Sequence, residues 1–92
     1  MIEWDERKRA ANLAKHGFDF ADAWQVYESP AKVTFESMRK AEIRKLDVAP
    51  VHGLTLALIY IERSEQARAI SLRRASRAER RMYGKAIEKE PY

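Results

Sequence analysis

The stretch Gly53-Leu54-Thr55-Leu56-Ala57-Leu58-Ile59-Tyr60-Ile61-Glu62 decides the fold. It is nearly all apolar and rich in β-prone residues, the mark of a central strand covered on both faces. Ser64-Glu65 is a short link, and Gln66 to Arg73 reads as the next strand, so the two form a hairpin. Beyond it, Ser76 and Glu79 make the S-x-x-E capping box that opens a final helix, with Ala78, Met82, Ala86 and Ile87 able to face the core. Upstream, Pro50 to Gly53 is a turn, and Glu42 to Ala49 and Ala31 to Glu36 are further strands. Asp5 is an N-cap, followed by a stripe of Ala10, Ala11, Leu13 and Ala14 that ends at His16-Gly17. Asp19 caps a second, shorter helix whose buried face is Phe20, Ala23, Trp24 and Tyr27; Ser29-Pro30 stops it. The expected architecture is α+β: two N-terminal helices, a four-stranded mostly antiparallel sheet and a C-terminal helix.

A chain of 92 residues implies a single domain over 1–92. It has no cysteine, which removes disulfides, thiol nucleophiles and most structural zinc sites. Met1 to Asp5 lacks the basic and apolar segments of a secretory signal, and the apolar run Leu54 to Ile61 is too short to span a bilayer. These features predict a soluble, cytoplasmic protein with no membrane contact. The residues from about Lys89 onward are expected to fray.

Charge is unevenly distributed. Residues 1–62 carry nine Lys/Arg and ten Asp/Glu, a net of −1, whereas residues 63–92 carry nine and four, a net of +5. Seven of those last nine cations are arginine. Arginine keeps its charge at any working pH and grips phosphate through a planar fork of donors, so the basic end points to a polyanion, first of all nucleic acid.

The sequence offers no metal-ligand spacing, since His16 and His52 stand alone, and no Gly-rich phosphate loop. No metal and no cofactor are expected. What remains is a set of Arg, Lys, His and Tyr side chains, which can cleave RNA because the substrate's 2′-hydroxyl supplies the nucleophile. Such a site needs a base, cations around the phosphorane and a donor for the leaving 5′-oxygen. Lys8, Asn12 and His16 share one helix face, either a functional row or an exposed polar stripe. His16 suits a helix end, and histidine also suits proton transfer near neutrality. Arg68 and Arg73 are separated by an odd number of residues, so a regular strand would send them to opposite faces. Tyr83, one turn beyond Glu79, is a core residue or a proton donor. Glu42 and Arg44 share a strand face. Arg44, Arg63, Arg74, Arg77 and Arg80 are the expected RNA contacts.

Trp4-Asp5, Lys8, Asn12, Lys15-His16-Gly17, Phe20 and Ala23 resemble the opening signature of the BrnT family of bacterial type II toxins. Glu42-x-Arg44, Arg63, Arg68-x-Ile70-Ser71-x-Arg73-x-Ala75 and Glu79-x-x-x-Tyr83 resemble that family's second half, in order, so the likeness runs from about Trp4 to Tyr83. The resemblance implies a RelE-like ribonuclease fold and an mRNA-cleaving toxin that arrests growth. It also implies a BrnA-type antitoxin that neutralises the toxin and is the route to operator DNA. Carried over residue by residue, it implies catalytic roles for Lys8, His16, Arg68, Arg73 and Tyr83. The alternative reading is a non-catalytic basic module that binds nucleic acid or a protein partner.

Overall fold

The computed structural model describes residues 2–88. Its elements are β1 (Ile2–Glu3), α1 (Glu6–His16), a 3-10 turn (Phe20–Asp22), α2 (Trp24–Tyr27), β2 (Val33–Arg39), β3 (Glu42–Val51), β4 (Leu54–Arg63), β5 (Gln66–Arg74) and α3 (Arg77–Glu88). The fraying expected from Lys89 onward lies outside the described residues.

The class is α+β, but the sheet has five strands rather than four, in the order β1-β5-β4-β3-β2, and it is mixed. β1 lies parallel to β5, pairing Ile2 with Ala67 and Glu3 with Arg68, while every other pair is antiparallel. Two residues are too few to carry an alternation, which is why β1 escapes a reading by periodicity. The second N-terminal helix is also smaller than expected. Asp19 caps the 3-10 turn by accepting from Ala21 N–H, and α2 is then a single turn. The tighter winding changes the phase of the side chains. Val26 is buried in consequence, and Trp24, expected in the core, is 55% exposed.

The local signals for α1 and α3 hold. Asp5 accepts from Arg7 N–H at 2.8 Å, and Gly17 closes α1 in the left-handed conformation with its N–H on Leu13 O. Glu79 N–H donates to Ser76 Oγ at 3.1 Å while Ser76 N–H donates to Glu79 Oε1 at 2.8 Å, the reciprocal capping box. The expected apolar stripe of α1 is not what the helix buries. Its buried residue is Asn12, and Leu13 is exposed. On α3, Met82 and Ile87 are exposed and Tyr83 is the side chain that reaches the core.

Two-residue turns join the antiparallel strands at Lys40-Ala41, His52-Gly53 and Ser64-Glu65, all with positive φ. Paired left-handed residues match the twist of the flanking strands. Pro50 belongs to β3, beyond its last pair with β2 (Val33–Val48), so no β2 ladder needs the missing N–H.

The sheet separates two cores. On one face, under α1 and α2, Phe20, Ala23 and Val26 pack on Ala49, Leu56, Leu58, Tyr60, Ala67, Ala69 and Leu72. On the other, Val48, Ala57 and Ala75 pack with Phe35, Leu46 and Tyr83. α3 lies mainly against β2 and β3, with Tyr83 reaching Ala57 of β4, and leaves open the end of this second face that bears Arg63 and Arg68. A β-bulge interrupts β5: Ile59 pairs with Ser71 and Tyr60 with Ala69, so Ile70 is an extra residue.

Candidate active site

The bulge at Ile70 corrects the parity expected for a regular strand. Ala67, Ala69 and Leu72 all reach the helix-covered core, two and then three residues apart. Arg68, Ser71 and Arg73 sit opposite Ile61, Ile59 and Ala57, which alternate with the core residues of β4 and so share the open face. Arg68 and Arg73 are thereby on one face after all. β4 brings Arg63 to it as well, and β3 brings Arg44, cross-strand from Ser37.

Arg73 is fixed. Its Nη1 donates to Glu79 Oε1 at 2.7 Å and its Nη2 to Oε2 at 2.9 Å, a fork-to-fork pair joining β5 to the first turn of α3. The Arg73 guanidinium, with help from the Ser76 N–H, holds the Glu79 carboxyl down at about 2. Glu79 is therefore a fixed anion and a weak base. Arg63 is ion-paired with Glu42, and Arg68 reaches Glu3 at 3.2 Å, both at exposed positions.

Arg44 differs. It is half-buried, its Nε is shielded from solvent, and that N–H has no partner among the described residues. It lines a cavity of about 260 Å³ with Ser37, Arg39, Lys45, Leu46, Ile59 and Glu79. A covered donor without an acceptor costs about 1–3 kcal/mol.

Lys8 and His16 stand at the edge of β5 rather than over its open face. With Ala11, Asn12, Lys15, Ile70 and Ser71 they line a cleft of about 320 Å³. The shared helix face of Lys8, Asn12 and His16 is thus the one turned to the bulge. Asn12 builds this edge: its Nδ2 donates to Leu72 O at 2.8 Å and Phe18 O at 2.9 Å, and its Oδ1 accepts from Leu72 N–H at 3.1 Å. One amide side chain thus stands in for a missing strand where β1 has ended. Ser71 lies between this cleft and the open face, being on the same face as Arg68 and Arg73.

The remaining expected residues are more scattered. Tyr83 packs against Val48, Ala57 and Ala75, and its hydroxyl donates to Ala31 O at 2.7 Å, pinning α3 to the segment before β2. Arg80 Nη1 donates to Ala75 O at 2.7 Å. Arg74 pairs across from Leu56 and so lies on the face opposite Arg73. Arg77 is exposed at the start of α3.

Two structural residues were not apparent in the sequence. Glu79 read as a helix cap and a motif residue, not as the partner of Arg73. Asp47 is fully buried on the helix-covered side, accepting from Lys32 Nζ at 2.7 Å, Thr34 Oγ1 at 2.6 Å and Tyr60 OH at 3.1 Å. Burial and the Asp47 charge push the Tyr60 hydroxyl well above the ordinary tyrosine range. A further hollow of about 560 Å³, beside Trp24, Glu28, Pro30, Pro50 and His52, has neither lysine nor arginine in its wall. Among the described residues no three His, Cys, Asp or Glu side chains stand together as a metal-ligand set, and no helix is long and apolar enough to cross a membrane.

Comparison with known proteins agrees with the resemblance read from the sequence. No curated protein matches the chain directly. A family model does, over residues 4–79, and it describes the ribonuclease toxin, BrnT, of type II toxin–antitoxin systems. A match of that extent places the chain in a family: it belongs to the BrnT ribonuclease toxins, whose systems pair each toxin with a protein antitoxin.

Proposed function

We propose that this chain is a metal-independent endoribonuclease that cleaves mRNA and so arrests translation and growth in the cytoplasm. The observation that carries the reading is the bulge at Ile70, which gathers Arg68, Ser71 and Arg73 on the sheet face that also bears Arg44 and Arg63. A single-stranded backbone crossing β5 at Ser71 would pass from these arginines into the Lys8–His16 cleft.

In the proposed reaction His16 or Lys8 takes the proton of the 2′-hydroxyl, whose oxygen attacks the adjacent phosphorus. Arg68 and Arg73 balance charge on the phosphorane. The P–O5′ bond breaks, the 5′-oxygen takes a proton from solvent water, and the products carry a 2′,3′-cyclic phosphate and a 5′-hydroxyl. Tyr83 serves first to hold α3; it could donate a proton only after leaving Ala31. Arg44, Arg63, Arg74, Arg77 and Arg80 contribute further RNA contacts. A BrnA-type antitoxin, which alone carries operator DNA binding, neutralises the toxin by covering the arginine face, where complementary charge would block substrate.

The test is cleavage of RNA by the purified chain in EDTA, with the product ends determined. Cyclic or 3′-phosphate ends at an undiminished rate are expected. Activity lost in EDTA and restored by a divalent ion, or 5′-phosphate ends, would contradict the mechanism.

A further inference from the structure

The cavity beneath α3 has features that a phosphate site does not need. Its lining includes the apolar Leu46 and Ile59, and the acidic Glu79 among the cations Arg39, Arg44 and Lys45. Apolar carbon gives a phosphate nothing, and the Glu79 carboxylate among these cations is an acceptor for which a phosphate has no donor. A nucleobase suits both, because it presents a flat apolar face and an edge with donors as well as acceptors. The third feature is the half-buried Arg44 in the same cavity, whose Nε has no partner among the described residues.

We propose that this cavity takes the base of a guanosine next to the cleaved bond, and that Arg44 is the specificity-determining residue. The inference rests on the ribonuclease reading and adds the base it selects. Guanine carries two adjacent acceptors, O6 and N7, that match the guanidinium fork. Its N1–H and N2–H donors match a carboxylate. Glu79 has room for one, since among the described residues Oε2 accepts only from Arg73 Nη2 whereas Oε1 already accepts from both Arg73 and Ser76. Adenine puts an amino group where the arginine needs an acceptor, and the pyrimidines lack N7. Arg73, held by Glu79, then links base recognition in the cavity to the charge it balances on the open face.

The experiment has two arms. Cleavage sites are first mapped on an RNA of mixed sequence with the purified chain. The kcat/KM is then measured for one short oligoribonucleotide carrying guanosine, 7-deazaguanosine, inosine or adenosine at the preferred position, with the original chain and with Arg44→Gln. Guanosine should flank the cleaved bond. Adenosine should lower kcat/KM by roughly 10–100-fold, and 7-deazaguanosine and inosine should each lower it by less. Arg44→Gln should bring guanosine and adenosine substrates to similar values. The analogue series on the original chain decides the matter even if the variant folds poorly. Cleavage without regard to base, 7-deazaguanosine cut as fast as guanosine, or an undiminished guanosine preference in a folded Arg44→Gln chain would overturn the assignment and leave the ribonuclease reading intact. Absence of cleavage on every RNA would remove the ribonuclease reading and the role of the cavity with it.

Discussion

Arg73 holds Glu79 with both of its Nη groups, at 2.7 and 2.9 Å, and this one pair ties the end of β5 to the first turn of α3. The same carboxylate caps the helix and walls the cavity beside Arg44. Packing of the helix, order of the arginine and shape of the cavity therefore depend together on a single side chain.

The pair makes stability fall in acid. Glu79 has a folded value near 2 against an ordinary 4.5, so the charged form is favoured by folding. Its contribution is fully present above about 4.5 and is lost as pH drops from there through about 2. Partial exposure screens the pair, so we expect Glu79→Gln to cost about 1–2 kcal/mol at pH 7. Urea unfolding at pH 7 and pH 3 should show a gap between the two chains that shrinks in acid. An equal gap at both values would assign the loss to something other than this charge.

Asn12→Ala should be severe for a helix residue. It strips Leu72 of partners for both N–H and C=O at the sheet edge and leaves Phe18 O without its bond from Nδ2. The two Leu72 groups alone, at about 1–3 kcal/mol each, give a loss of roughly 2–6 kcal/mol. Thermal melting should fall by more than about 8 °C for a domain of this size. A melting temperature within a degree or two of the original would mean that β5 does not need this clamp.

Asp47→Ala leaves the Lys32 ammonium and the Tyr60 hydroxyl without an acceptor beside the core. Breaking a buried pair from one side costs about 3–5 kcal/mol. Replacing Lys32 by Met in the same chain should recover part of the loss, because the stranded charge goes with it. If the double variant is no better than Asp47→Ala, the loss comes from packing rather than charge.

Ala41 lies at φ 62°, where a Cβ is unfavourable and glycine is not. Ala41→Gly should raise stability by about 1 kcal/mol, read as a shift of the urea midpoint at unchanged slope. No gain would show that the turn relaxes without cost.

Much of this fold is legible because its signals are local. Asp5, Gly17, Ser76 with Glu79, and the apolar run of β4 each act within a few residues. What escaped depends on distant partners. β1 is two residues long and exists because β5 offers it an edge. The burial of Asn12 runs against hydrophobic pattern, since the alanine stripe beside it stays in solvent. The bulge did leave a trace in the spacing of Ala67, Ala69 and Leu72, but only knowledge of which face is buried turns that spacing into an extra residue. For the site, sequence marked the arginines as a class. It could not show that Arg44 Nε lacks a partner among the described residues, that Arg73 has one, or that Arg74 is turned away.

The central claim is that RNA is cleaved on the open sheet face organised by the bulge, and the contrast between neighbouring arginines tests it most directly. Single-turnover cleavage at saturating RNA, in EDTA, is measured for the original chain and for Arg68→Ala, Arg73→Ala and Arg74→Ala, each checked for folding. Arg68→Ala and Arg73→Ala should each lower the rate by about 10²–10³, as loss of one preorganised cation does. Arg74→Ala, on the opposite face, should weaken affinity and leave the saturated rate near its original value. Equal rates for all four chains, or a loss confined to Arg74→Ala, would contradict the account.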